Sequence, residues 1–567
     1  MMCRIFRLIA ITVTMAGLLA LPSVYAGTNI ASTVHNLTPT GPGNFKAPEA
    51  TGLCVFCHTP HSASPQGPLW NRALSGATYE LYTSSTLMAQ VKQPTGSSRL
   101  CLSCHDGTLA MGTLVMPIGG RYQPTLGMLT GKAKLGTNLS ADHPISFVYD
   151  AALAANRGEL VYPSTLTGAI KLDQNHEVQC TSCHDAHEDR HAKFMRMETR
   201  YGALCVTCHQ PNGWPNAAHA TSTATWNGQG TSPWPGSAYP SVSENACSSC
   251  HKPHAAAHGK ALLAQSSEVA NCMVCHSGTV AARNLQNEFS KLSSHHINSA
   301  EWTHTPKEDA TQMAKHVTCT DCHNPHASNN TTTATPDVNG RLLGVRGISQ
   351  SGLLTNPSTK EYEVCYKCHG LNAAGTAGFQ RQDNVRNARL QFDPTNPSYH
   401  PVAAVGKNAG IQNLITGYTA TTVIGCSSCH NNDSAASGGT SPKGPHGSNY
   451  APILERQYDT ADNTIESPQN YALCYKCHDR NALTVDVPGK FPHARHLNKN
   501  TSCASCHDAH GSRYNPRLIN FMLFDKNGLP VVSKSTAQQR LEYIPSATGG
   551  QCYLSCHGVN HEPSTYP

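Results

Sequence analysis

Hydrophobic positions are dense at one end of this chain and sparse along the rest. Leu8 to Leu21 is an apolar run broken only by Thr, Ala and Gly; Arg4 and Arg7 precede it, and Val24-Tyr25-Ala26 follows it before Gly27. A positive segment, an apolar core and a small-residue exit make an export signal, so residues 1–26 are expected to be removed. The alternative is an uncleaved anchor, for which the core is short. Cys3 lies ahead of the apolar run, out of place for lipidation, and no later stretch is long and apolar enough to span a bilayer. Past the signal, the pattern predicts short helices, as over Ala203–His209 and Tyr471–His478. Loops are predicted where Gly, Pro and Ser gather, as in 227–243 and 434–449, with little sheet anywhere.

Composition sharpens this picture. Only 39% of the chain is hydrophobic and 6% aromatic, against 45 Gly and 36 Pro. Such a chain is loop-rich and cannot build one large apolar core from its own side chains. Something else must supply buried apolar surface.

The cysteines indicate what that is. All 25 except Cys3 fall into pairs, and His follows every pair at once. Eleven pairs read C-x-x-C-H. They are Cys54/Cys57/His58, Cys101/Cys104/His105, Cys180/Cys183/His184, Cys205/Cys208/His209, Cys247/Cys250/His251 and Cys272/Cys275/His276. Then come Cys319/Cys322/His323, Cys365/Cys368/His369, Cys426/Cys429/His430, Cys474/Cys477/His478 and Cys503/Cys506/His507. The twelfth, Cys552/Cys556/His557, is C-x3-C-H, and its longer loop must bulge to keep both thiols in reach. C-x-x-C-H is the attachment signature of haem c. Two thiols form thioethers to the porphyrin vinyl groups, and the adjacent His gives the iron its proximal nitrogen. Disulfides and zinc ribbons also use paired cysteines. Neither needs His directly after the second Cys, and His is only 32 of 567 residues. Twelve covalent haems c are expected, and their stacked porphyrins are the missing core.

The formal charge of +6 includes Arg4 and Arg7, which leave with the signal. Two propionates per haem would make the loaded protein acidic, so the basic apoprotein supports no nucleic-acid partner.

The motifs form six pairs, with first-Cys separations of 47, 25, 25, 46, 48 and 49 within pairs. The corresponding segments are 27–135, 136–215, 216–290, 291–390, 391–485 and 486–567, each a two-haem repeat rather than an independent globule. In five pairs the first motif carries a further His three residues on: His61, His187, His254, His326 and His510. The fifth pair has instead His446 in Gly-Pro-His-Gly. Each pair also has His upstream: His35, His143, His219, His296, His400 and His496. Neutral imidazole is a good iron ligand, and these twelve are the expected distal ligands. His176, His295, His304, His316 and His493 are the alternatives for the upstream set. A His so close to its motif cannot easily reach the far face of its own haem, so it is expected to ligate another, most simply its pair-mate. Lys367 and Lys476 are candidate partners of haem propionates, or ordinary surface charges.

At this point the residues carry a family resemblance. Cys54-Val-Phe-Cys-His-Thr-Pro-His61, Cys101-Leu-Ser-Cys-His-Asp-Gly107, the His143-Pro-Ile segment and Cys180-Thr-Ser-Cys-His-Asp-Ala-His187 are among the matching stretches. Cys474-Tyr-Lys-Cys-His-Asp479 and Cys552–His557 with His561 are the others. The pattern resembles the doubled C-x-x-C-H multihaem c-type cytochromes of metal-reducing, electrode-respiring bacteria. The resemblance implies a mostly irregular fold with short α-helices, extended along a chain of stacked bis-His haems. It implies export to the periplasm or surface of a Gram-negative-type bacterium, and electron hopping toward redox-partner cytochromes or external acceptors such as metal oxides or electrodes. Some similar proteins self-assemble into filaments. Two rivals stand beside a simple carrier. One is a haem-dependent reductase, against which no C-x-x-C-K motif occurs. The other is the cytochrome of a porin conduit, whose barrel this chain does not form.

Overall fold

The computed structural model describes residues 29–64, 67, 69–297, 316–370, 379–408, 410–411, 413–435, 441–547 and 549–567. The export signal, Cys3 and His304 lie outside them.

Each C-x-x-C-H motif closes one tight turn. The first-Cys carbonyl accepts the motif-His N–H, at 2.7 Å for His58 on Cys54 and 3.0 Å for His184 on Cys180 and His507 on Cys503. First motifs of pairs make isolated turns, such as Cys54–Phe56, Cys319–Asp321 and Cys426–Ser428. Second motifs end longer helices: Gly96–His105, Glu268–His276 and Glu361–His369. Ser267 starts the second of these by accepting the Ala270 N–H at 3.1 Å. The helix expected at Ala203 covers Ala203–Val206. The one expected from Tyr471 shrinks to a 3-10 turn over Cys474–Lys476, because the Leu473 N–H goes to the Gln457 carbonyl and leaves the helical ladder.

Strands are mostly two-residue antiparallel pairs, including Ser293–Ser294 with Gly447–Ser448 and Ser398–Tyr399 with Gly511–Ser512. The exception is a four-stranded C-terminal sheet. Gly550–Cys556 is its central strand, with Val559–Tyr566 along one edge and Glu542–Pro545 and Val532–Ser533 along the other.

Among the described residues, the buried apolar side chains form five small clusters and not one core. The largest hold six buried residues each, such as Leu37, Ala47, Ala50, Phe56, Met111 and Leu126. The accessible surface is 31078 Å². A folded monomer of 60.6 kDa would expose about 19500 Å². Part of the excess lines an interior cavity around which the chain wraps.

Polar contacts fix each motif against the next. Glu268, at the start of its helix, takes the Thr320 N–H and hydroxyl, each at 2.9 Å. Glu361 does the same for Ser427 at 2.8 and 3.0 Å. Both carboxylates sit four residues before a second-motif Cys, and both partners follow a first-motif Cys. Lys367 and Lys476 make a different clamp. Lys367 is buried and reaches the carbonyl of Asp321 and, at 3.4 Å, its carboxylate. Lys476 reaches the Ser428 carbonyl at 2.6 Å and Glu455 at 2.9 Å. These lysines therefore bind the preceding motif of their own pair. Neither is a free surface charge, because each side chain folds back across the adjacent turn.

Candidate functional site

One cavity of about 4530 Å³ runs through the molecule, lined by motif histidines from His105 to His507. Across it, imidazoles face each other in pairs. Two imidazoles held about 2 Å from one metal ion on opposite sides have centroids about 6 Å apart. Eleven motif histidines have a second imidazole at that spacing. His58 faces His187 at 6.3 Å and His105 faces His35 at 6.2 Å. His184 faces His254 at 6.2 Å and His209 faces His143 at 6.1 Å. His251 faces His326 and His276 faces His219, both at 6.1 Å. His323 faces His446 at 6.0 Å and His369 faces His295 at 6.3 Å. His430 faces His510 at 6.2 Å, while His478–His400 and His507–His493 are each at 6.4 Å.

The other ring nitrogen is engaged elsewhere. Nδ1–H of His105, His251 and His323 donates to the carbonyls of Ala133, Ala261 and Arg341 at 2.8–2.9 Å. His184 and His507 donate to Lys193 and Arg517 at 3.0 and 2.9 Å. This leaves Nε2 as the nitrogen for a metal and orients the ring. Lys193, Ala261 and Arg517 are left-handed, with φ of 54–59°. That is local strain spent on aiming a carbonyl. Nothing in the sequence marks these residues, since none is Gly or Asn. Burial lowers the pKa of His209, His276 and His478 to about 4, which keeps these rings in the neutral form a metal needs.

A single rule places the distal rings. Each of the first five pairs draws one from its own upstream segment and one from the first motif of the next pair, and in the sixth the upstream His493 serves the first motif. His295 and His446 arrive on opposite strands of one ladder, Ser294 pairing with Gly447. His400 and His510 do the same beside Tyr399 and Gly511. The two segments also lock each other. The carbonyl just before the near-motif ring accepts Nδ1–H of the upstream ring: Ala186 from His35, Pro325 from His219, Pro445 from His295 and Ala509 from His400.

Several expectations change. The near-motif rings reach the preceding pair, not the pair-mate, because the chain leaves the motif extended and runs antiparallel to that pair's upstream segment. His295 replaces His296, since alternation along the Ser293–Ser294 strand turns adjacent side chains to opposite sides. His296 is exposed. His493 replaces His496 opposite His507; His496 instead packs against Phe491 at 4.9 Å and Tyr566 at 5.9 Å. His61 is exposed and faces no motif His among the described residues.

The twelfth motif differs from the rest. Cys552 and Cys556 lie in one extended strand, four residues apart. An unbroken strand of that length would separate their Cα atoms by about 13 Å; here the register shifts between Cys552 and Leu554, and the segment still lacks the compact turn of the other eleven motifs. His557 has φ 51° and bonds Asp462 at 3.0 Å. These residues do not fit a covalently held haem in this conformation, whereas the eleven compact motifs do.

Contacts between cysteines give the motif order. Between pairs, first cysteines touch: Cys101 with Cys180, Cys205 with Cys247, Cys272 with Cys319, Cys365 with Cys426 and Cys474 with Cys503 are hydrogen-bonded. Within pairs, second cysteines lie within electrostatic reach: Cys57 of Cys104, Cys183 of Cys208, Cys250 of Cys275, Cys322 of Cys368 and Cys429 of Cys477. The motifs thus follow one another in space in the order of the sequence.

Comparison with known proteins agrees. Residues 174–213 and 240–281 match the model of the doubled CXXCH motif. Both matched stretches carry paired C-x-x-C-H motifs, so the match supports a doubled-CXXCH multihaem cytochrome family for this chain. The chain is also similar to the multiheme cytochrome MtrA of Shewanella baltica (strain OS185), 25% identical over 204 residues, 34% of this chain and 42% of that protein. The matched motifs indicate covalently bound haem c, and the similarity to a multihaem cytochrome suggests electron transfer as the coarse function. No helix among the described residues is long and apolar enough to cross a membrane.

Proposed function

We propose that this multihaem cytochrome is an exported electron carrier with a single unbranched path of eleven bis-His haems, running from His58 to His507. The observation that carries this reading is the set of eleven imidazole pairs at 6.0–6.4 Å, strung in sequence order. Haem c, when attached, supplies a one-electron iron centre at each motif. The chain holds the two facing imidazoles that would take the iron at each site, orients many of them through Nδ1–H, and keeps successive attachment sites in contact. Export to the periplasm or cell surface, redox-partner cytochromes and external acceptors such as metal oxides or electrodes belong to the same proposal.

Mass and low-spin content of the secreted protein test the path. Eleven attached haems, all low-spin, is the expected result. A twelfth haem on Cys552 and Cys556 would show that this segment leaves its strand during maturation. A stoichiometric high-spin fraction among the first eleven motifs would overturn the carrier reading in favour of a reductase.

One observation favours assembly into filaments. His61 is the same element as His187, His254, His326 and His510, yet it is exposed with no motif His opposite. It is the ligand-donating end of the repeat, and the site it would complete in a second copy is His557, once Cys552 and Cys556 there have left their strand and taken a haem. Under this reading His61→Ala leaves the monomer's spectrum unchanged and abolishes filaments in electron micrographs. Filaments of normal length in that variant would exclude His61 as the joint.

A further inference from the structure

The near-motif rings differ in what receives their outward N–H. Nδ1–H of His254 donates to the Asp142 carboxylate at 2.9 Å. Asp142 is 7% exposed, also accepts the Ala255 N–H at 3.2 Å, and has no Lys or Arg partner among the described residues. Nδ1–H of His510 donates to the neutral amide oxygen of Gln391 at 2.9 Å. Nδ1 of His446 is buried and has no hydrogen-bond partner among the described residues. This last ring is the one displaced from the usual position three residues after its motif. It rides on Gly-Pro-His, away from the turn that brings acceptors to the others.

An imidazole whose N–H is shared with an anion gives its other nitrogen more electron density, and a nearby negative charge stabilises the more positive oxidation state of a metal. Withholding the acceptor does the reverse. The magnitude is set by burial, because a screened carboxylate acts weakly and a buried one acts at low effective dielectric.

We infer that Asp142, Gln391 and the empty acceptor position at His446 grade the reduction potentials along the path. The site at His184/His254 is the lowest of the three, that at His430/His510 is intermediate, and that at His323/His446 is the highest. The grading rests on the bis-His reading above. An electron entering at the His58 end meets its lowest-potential site of this set near that end and the highest near the middle. Asp142 and Gln391 are positioning residues that act through the ligand and not on the iron itself.

Potentiometric titration of the full-length holoprotein with Asp142→Asn and, separately, Gln391→Glu tests this. Asp142→Asn should move one single-electron component upward by about tenfold in its equilibrium, about 59 mV. Gln391→Glu should move a different component downward by a similar factor, and Asp142→Glu should restore the first. All other components stay in place. Low-spin haem content, read on the same samples by electron paramagnetic resonance, separates two failures. Full low-spin content with unmoved potentials, or with one uniform shift, overturns the grading and leaves the path intact. Missing low-spin haem in the unaltered protein overturns the path itself. If Asp142→Asn fails to mature, Gln391→Glu decides alone, since the amide-to-carboxylate change keeps the acceptor.

Discussion

Produced without covalent haem attachment, the chain is expected not to fold at all. Its far-ultraviolet spectrum should be that of a disordered chain, with no cooperative thermal transition and rapid proteolysis throughout. The reason lies in how little the protein buries by itself. Five clusters, each with at most six buried apolar side chains, are spread over the described chain, and a cavity of about 4530 Å³ separates them. Fixing each residue costs about 1–2 kcal/mol of backbone entropy. Folded domains retain only about 5–15 kcal/mol after that cost, so losing the central filler removes far more than the margin. As in metal-nucleated domains, binding free energy here is folding free energy. A sharp melting transition in the haem-free chain would show that the protein clusters suffice.

The second large effect is expected from His326→Ala. Its ring lies 6.1 Å from that of His251, and the carbonyl of the residue before it holds His219. Removing the ring leaves His251 as the sole axial imidazole at its motif, while every thioether is kept. Haem content should stay constant as one of eleven low-spin centres turns high-spin. The affected potential should rise by more than about tenfold, about 59 mV. His326→Met should restore the low-spin state with the potential still raised, because a thioether sulfur favours the reduced iron. A His326→Ala protein with unchanged spectra would show that another side chain, and not His326, completes this site.

The sequence was informative wherever the chemistry is local. Cys54, Cys57 and His58 occupy one turn, so the thioether pair and proximal ligand follow from spacing alone, and the same holds through His507. The near-motif histidines were recognisable as ligands for the same reason. Their destinations were not, since each lies tens of residues away. Choosing His295 over His296 required the register of Ser293–Ser294 on Gly447–Ser448, a contact spanning about 150 residues. A one-residue shift in a strand turns a side chain to the other face, and no local pattern records that register.

The twelfth motif shows the opposite limit. Cys552, Cys556 and His557 keep the residue types, yet the segment is the central strand of a sheet, with a register shift between Cys552 and Leu554. Ladder partners on both sides settle that conformation, and those partners are tertiary.

By itself, the sequence determined the number of motifs, their thiols and proximal rings, the loop-rich character and the need for a non-protein core, because each is a matter of spacing or composition. Only the tertiary structure decided which distal ring meets which motif, that the first five pairs each take one ring from the next, and that His61 faces no motif ring among the described residues. These are contacts between distant segments, fixed by backbone ladders and carbonyl acceptors whose positions no short stretch of sequence encodes.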